Sequence, residues 1–123
     1  MIREAFLDRE IEFVLRQGKR EDYRTPEEFD KPFFVIVHSA GARNNPDLDQ
    51  SLVEKVMREI REITQNYDHI FLDYAPSTIL PEVPRDRPIL VCGFYGDVCV
   101  DIQRQTLRSQ GYDAYISDKG TFL

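Results

Sequence analysis

Cys99 is the residue of this 123-residue chain best placed to do chemistry. It sits in the run Gly93-Phe94-Tyr95-Gly96-Asp97-Val98-Cys99-Val100, which follows an apolar segment from Pro88 to Cys92 and opens a helical pattern that ends at Gly111. A cysteine just inside a helix N-terminus lies in a positive partial field, which favours thiolate over thiol. The glycines around it permit a tight bend and leave room for a ligand. Strand, glycine turn, cysteine and helix together form the layout of an activated nucleophile. His38 follows another apolar run, Phe33-Phe34-Val35-Ile36-Val37, and an imidazole can serve as base to a thiol. Asp73 follows a third run, His69-Ile70-Phe71-Leu72.

Each residue also has a plainer reading. Cys99 could be a small packed core residue, since free cysteine is among the most buried types. His38 could cap the loop that follows it by hydrogen bonding. Asp73 could hydrogen-bond the turn from Tyr74 to Ser77, and Asp97 could be the N-cap of the cysteine helix. Cys92 reads as core, and His69 as a strand-end residue.

The elements that must position these residues alternate. Residues 3–17 carry Phe6, Leu7, Phe13, Val14 and Leu15 among charges, an amphipathic helix stopped by Gly18. The charged stretch from Gly18 to Tyr23 reads as a surface link. Thr25-Pro26-Glu27-Glu28 has the form of a capping box with proline at the first helical position, so a short helical turn is expected. The first strand is Phe33–Val37, apolar throughout, as in a parallel sheet buried on both faces. A polar loop from Ser39 to Pro46 leads to a helix from about Asp49 to Asn66. Its residues Leu52, Val53, Val56, Ile60 and Ile63 share one face, and Asp49 is a candidate N-cap. His69–Leu72 reads as a second buried strand. The segment from Ala75 to Arg87, with Pro76, Pro81 and Pro84, reads as an irregular crossover. Ile89–Cys92 is the third strand, Asp97 to Gln110 a helix, and Ala114–Ile116 the fourth strand.

This alternation predicts an α/β, Rossmann-like fold with a parallel sheet and helices on both faces. Counting the four strands in chain order, the economical arrangement is 2-1-3-4. Ligands bind at the carboxyl ends of the strands flanking such a reversal of order. His38 and the Gly93 to Cys99 turn emerge there. The chain reads as one domain over residues 1–123, with residues 1–30 as an N-terminal helical extension, and shows no internal repeat.

Composition narrows the function classes. A formal charge of −6 argues against a nucleic-acid backbone or an anionic membrane as partner. No apolar run has the length of a bilayer span, and Met1-Ile2-Arg3-Glu4 lacks a signal-peptide core, so a cytoplasmic location is expected. The two cysteines then read as free thiols. A small-molecule ligand is expected as partner. The apolar side of residues 3–17 would cover the domain or pack on a second copy, so a homo-oligomer is expected too. No cofactor is expected.

The Gly93 to Val100 run resembles the cysteine signature of the isochorismatase-like hydrolases, which include nicotinamidases and carbamoyl-amide hydrolases. That signature reads glycine, two residues, threonine, aspartate, any residue, cysteine, valine; Gly96 stands here where threonine is usual. The stretch Gly111-Tyr112-Asp113-Ala114-Tyr115-Ile116-Ser117-Asp118 resembles the family's next strand, and the likeness spans roughly residues 33–118. It implies that Cys99 is the nucleophile and that its N–H helps form an oxyanion hole, with Phe94, Tyr95, Gly96 and Asp97 around the bound substrate. It also implies a cis peptide near Phe94-Tyr95.

The chain departs from the family at three places. His38 stands where the family has a catalytic aspartate. The segment that would carry the catalytic lysine is largely deleted, and Arg85, Arg87 or Lys119 would have to supply the positive charge. Of these, Lys119, expected just past the fourth strand, is the candidate. Asp73-Tyr74-Ala75-Pro76 keeps the aspartate of a metal-binding run and lacks its histidine, so no metal is expected.

Two functions follow. The first is a cysteine hydrolase of a small amide or related C–N bond, with Cys99 as nucleophile, His38 as base and Asp73 orienting His38 or the substrate. The alternative is an inactive relative that binds a small molecule or a protein partner. A phosphoacceptor domain built around Asp73 would need an acidic pair after the first strand, and His38-Ser39 does not supply it.

Overall fold

In the computed structural model of this chain, residues 23–37, 46–73 and 75–122 are described, apart from the side chains of residues 96 and 97. The expected helix over residues 3–17, residues 18–22 of the link, His38, and residues 39–45 of the expected loop from Ser39 to Pro46 lie outside the described residues.

The five apolar residues of β2 (Phe33–Val37) are all buried, because the strand runs through the middle of the sheet and both of its faces are covered. Alternate side chains go to opposite faces. Phe34 and Ile36 join Leu90 and Cys92 of β4 (Ile89–Gly93) under the helix α1 (Gln50–Asn66). Phe33, Val35 and Val37 join Ile89 and Val91 on the other face, with Leu107 of α2 (Asp101–Ser109). Burying an aliphatic or aromatic side chain of this size is worth about 1.5–3 kcal/mol, so these two strands anchor the domain. Asp49 caps α1, its carboxylate accepting the Ser51 N–H at 2.9 Å. Val53, Val56, Ile60 and Ile63 form the face of α1 turned to the sheet.

The sheet has five strands, all parallel, in the order β1-β5-β4-β2-β3. This differs from the expected 2-1-3-4. A fifth strand, β1 (Tyr23–Arg24), lies at the edge, where a surface link was expected up to Tyr23, and it shifts the numbering. Two residues, paired through the backbone with Ile116 and Ser117, are too short a run to carry a hydrophobic pattern. A 3-10 turn follows at Pro26–Glu28 without the expected capping box, since the Thr25 hydroxyl donates to the Glu27 carboxylate instead.

β3 (Asp68–Leu72) is not the buried strand its apolar run suggests. It forms the opposite edge, paired with β2 alone; only Leu72 is buried, and Phe71 is 43% exposed. The crossover from residue 75 to residue 88 holds no helix or strand. It lays Ile79, Leu80 and Val83 against the α2-side core.

β5 (Ala114–Thr121) runs well past the expected Ile116. Ala114, Tyr115 and Ile116 pair with β4 in register, and pairing resumes only at Thr121 opposite Gly93. The intervening residues leave the ladder in a bulge. The Ser117 hydroxyl donates to the Lys119 carbonyl at 2.6 Å, and the Thr121 hydroxyl donates to the Ser117 carbonyl at 2.5 Å. Gly120, at φ +82°, passes so close to α1 that a Cβ there would stand 2.7 Å from Ile63 Cδ1.

Candidate active site

The last residues of β2 and β4, Val37 and Gly93, are register partners. From β2 the chain passes through α1 to β3 on one side, and from β4 through α2 to β5 on the other. The carboxyl ends of β2 and β4 therefore flank the point where the order reverses, the usual ligand position in such sheets.

Gly93 makes this junction possible. Its φ is +111°, and a Cβ would lie 2.2 Å from the Val37 carbonyl oxygen. The Phe94 N–H donates to that same oxygen at 2.9 Å, which ties the start of the cysteine turn to the end of β2. The Phe94-Tyr95 peptide is cis, at the position the resemblance implies.

A π-helical turn (Gly96–Val100) comes next and runs into α2. The Tyr95 carbonyl accepts the N–H groups of both Val98 (3.2 Å) and Val100 (3.0 Å), closing the turn. Asp97 is the second residue of this turn and not its N-cap; Tyr95 occupies the cap position. The wide first turn accounts for the difference, since it starts one residue before Asp97.

Cys99 is partly exposed and packs against the α2-side core, with Val98 beside it half exposed. The residue is therefore not sealed inside the core. Cys92, by contrast, is fully buried on the α1 side; burial, reinforced by Glu59, pushes its thiol well above its ordinary pKa. Both cysteines are free thiols.

Phe94 and Tyr95 serve packing. Phe94 is fully buried and stacks on Phe122 with ring centroids 5.4 Å apart, inside the range of about 4.5–7 Å usual for aromatic pairs. The Tyr95 ring stands edge-on to both Phe94 and Phe122. The Phe94 side chain has no exposed surface, and its N–H donates to the Val37 carbonyl.

Lys119 lies within β5, not past it. Its ammonium is 2.7 Å from the Glu62 carboxylate of α1. The hydrogen bond between them holds Glu62 below and Lys119 above their ordinary pKa values. The β5 bulge places Lys119 beside α1, whereas Cys99 packs in the core on the other face.

Arg85 and Arg87 precede β4 at the amino end of the sheet. The Arg85 guanidinium lies over Tyr112 and donates to the Gln110 carbonyl. Arg87 donates to the carbonyls of Lys31 and Pro32 and pairs with Asp68 at 2.8 Å, beside an open groove lined by Asn66 and Tyr67. Neither delivers its charge to the cysteine turn.

Asp73 is exposed and directly follows β3, at the same end of the sheet as Val37 and Gly93. His38 lies outside the described residues; in sequence it follows Val37 directly. His69 accepts or donates through Nδ1 at 3.0 Å from the Tyr67 carbonyl, near the amino end. Among the described residues, no group of three or more His, Cys, Asp or Glu side chains converges as a metal site. No helix among them is long and apolar enough to cross a membrane.

One buried group escaped the sequence reading. Gln103 of α2 is 1% exposed, and its Oε1 has no hydrogen-bond partner. Its spacing of four residues from Cys99 was visible; its burial was not, because a glutamine in a charged helix reads as surface.

In comparisons with protein-family models, curated proteins and solved structures, nothing matches this chain.

Proposed function

We propose that this protein is an isochorismatase-like cysteine hydrolase that cleaves a small amide or related C–N bond. The observation that carries this is the junction of β2 and β4. Val37 and Gly93 end their strands side by side, and the Phe94 N–H is bonded to the Val37 carbonyl. The residue after Val37 is His38, and the turn after Gly93 carries a partly exposed Cys99 at a helix start.

In the reaction, His38 takes the Cys99 proton and the sulfur adds to the amide carbon. The carbonyl π electrons move to oxygen, where N–H groups of the turn, that of Cys99 among them, hold the negative charge. The C–N bond then breaks, and the amine leaves with the proton carried by His38. Water, deprotonated by His38, attacks the thioester; the S–C bond breaks, releasing the acid and restoring the thiol. Asp73 orients His38 or the substrate from the end of β3.

The Glu62–Lys119 pair favours a second reading, an inactive relative that uses the same cleft to bind a small molecule. Incubation with a panel of small primary amides and carbamoyl compounds separates the two. Enzymatic release of ammonia from at least one member, with a thioester trapped as hydroxamate by hydroxylamine, is the expected result. Saturable binding without ammonia release would establish the second reading instead.

A further inference from the structure

The two edges of the sheet differ. β1 offers only two residues beside β5. At the far side β3 runs for five residues in unbroken register with β2, and it has no second neighbour among the described residues. Alternate backbone N–H and C=O groups of β3 therefore point away from the sheet. Proteins blunt such edges with lysine, proline or a bulge, and Asp68–Leu72 contains none of these. Phe71 is exposed there and Ile70 is only partly buried. Asp68 is the one carboxylate of the strand, and Arg87 pairs with it at 2.8 Å. In a chain of charge −6, this edge is thus apolar with its own charge offset.

We infer that β3 is a self-association edge: two copies of this chain pair β3 with β3, antiparallel, about a two-fold axis through Ile70. The two sheets then join into one. The inference is independent of any reaction at Cys99.

A second copy is the occupant that the strand's own order of residues fits. Centring the axis on Ile70 pairs all five residues of each strand, and every other symmetric register leaves some unpaired. Ile70 then faces Ile70, His69 faces Phe71, and Asp68 faces Leu72. His69 and Phe71 are register partners of Phe34 and Ile36, which belong to the α1-side core, so their rings stand on that side of the sheet. Within one chain the two rings already meet edge-on, centroids 5.6 Å apart. The pairing gathers four such rings in one cross-strand cluster. Like charges directly opposite one another weaken a strand pair, and here none meet. Asp68 faces Leu72, and Asp73, one residue past the strand, falls opposite Tyr67.

Sedimentation velocity of the full chain, from micromolar to submillimolar concentration, reads the association. The mass is expected to rise from 14.4 kDa to twice that value and to stop there, because a two-fold axis closes the assembly. Phe71→Lys changes an exposed position, so the circular dichroism spectrum stays as it is. The dissociation constant rises at least about tenfold, since the substitution occurs twice in the pair. Hydrogen exchange on the wild type gives a second reading that needs no variant: amides of residues 68–72 exchange more slowly at high protein concentration than at low. A mass that stays at 14.4 kDa overturns the proposal, and β3 amides protected equally at every concentration would then assign the edge to another part of the same chain. A dimer that keeps its affinity in Phe71→Lys, or forms without slowing exchange in β3, overturns it too, because its interface lies elsewhere.

Discussion

Gly93→Ala is expected to destabilise the domain by about 2–6 kcal/mol, a large part of the 5–15 kcal/mol that holds a typical domain folded. Two costs combine. At φ +111° an L side chain is strained, by about 1–3 kcal/mol. The added Cβ would also meet the Val37 backbone at its oxygen (2.2 Å), nitrogen (2.8 Å) and carbonyl carbon (3.0 Å). Backbone in mid-sheet cannot swing aside as a flexible side-chain tip can, so β4 must move away from β2, and overpacking of this kind costs about 1–3 kcal/mol. The Phe94 N–H bond to the Val37 carbonyl is lost with it. Urea unfolding followed by circular dichroism measures this as a lower midpoint at unchanged slope. A midpoint equivalent to less than about 0.5 kcal/mol from wild type would show that the strand ends do not meet as described.

The largest effect on chemistry belongs to Cys99→Ala. Without sulfur no thioester forms, and ammonia release from the best amide substrate is expected to fall by on the order of a thousandfold or more. Folding is expected to be almost untouched. Cys99 is partly exposed and its removal opens no enclosed cavity, so the thermal midpoint stays within a few degrees. That combination separates a nucleophile from a packing residue. A variant that keeps more than a tenth of the wild-type rate would remove Cys99 from the reaction.

Strong patterns were legible in the sequence. Phe33–Val37 announced a strand buried on both faces, and the spacing of Val53, Val56, Ile60 and Ile63 announced α1 with its Asp49 cap. The irregular crossover was written in its prolines. The elements that escaped are held by interactions without a local signature. β1 exists through backbone pairing to β5. The β5 bulge is closed by the Ser117 and Thr121 hydroxyls and by the close pass of Gly120 under α1, and it carries Lys119 to Glu62. An apolar run such as His69–Leu72 does not say whether its strand will gain a second neighbour, so the edge position of β3 was unreadable.

The candidate site divides in the same way. The cysteine turn was legible because glycine and cysteine after an apolar strand constrain the backbone. The burial of Phe94 and Gln103 was not, since it depends on which face of the core a side chain enters. Arg85 and Arg87 were offered as charges for the site because sequence order does not reveal the end of the sheet at which the crossover leaves them; hydrogen bonds to Gln110, Lys31 and Pro32 fix them at the amino end.

Activation of Cys99 by His38 is the centre of the account, and the rate of its alkylation tests that most directly. Cys92 stays silent in the native protein, because it is fully buried and its thiol is held protonated. Intact mass after iodoacetamide treatment therefore reads Cys99 alone. The account predicts one adduct, formed at least about tenfold faster than on free cysteine, and a fall to the free-cysteine rate in His38→Ala. A wild-type rate no higher than that of free cysteine, or a fast rate that His38→Ala leaves unchanged, would contradict it.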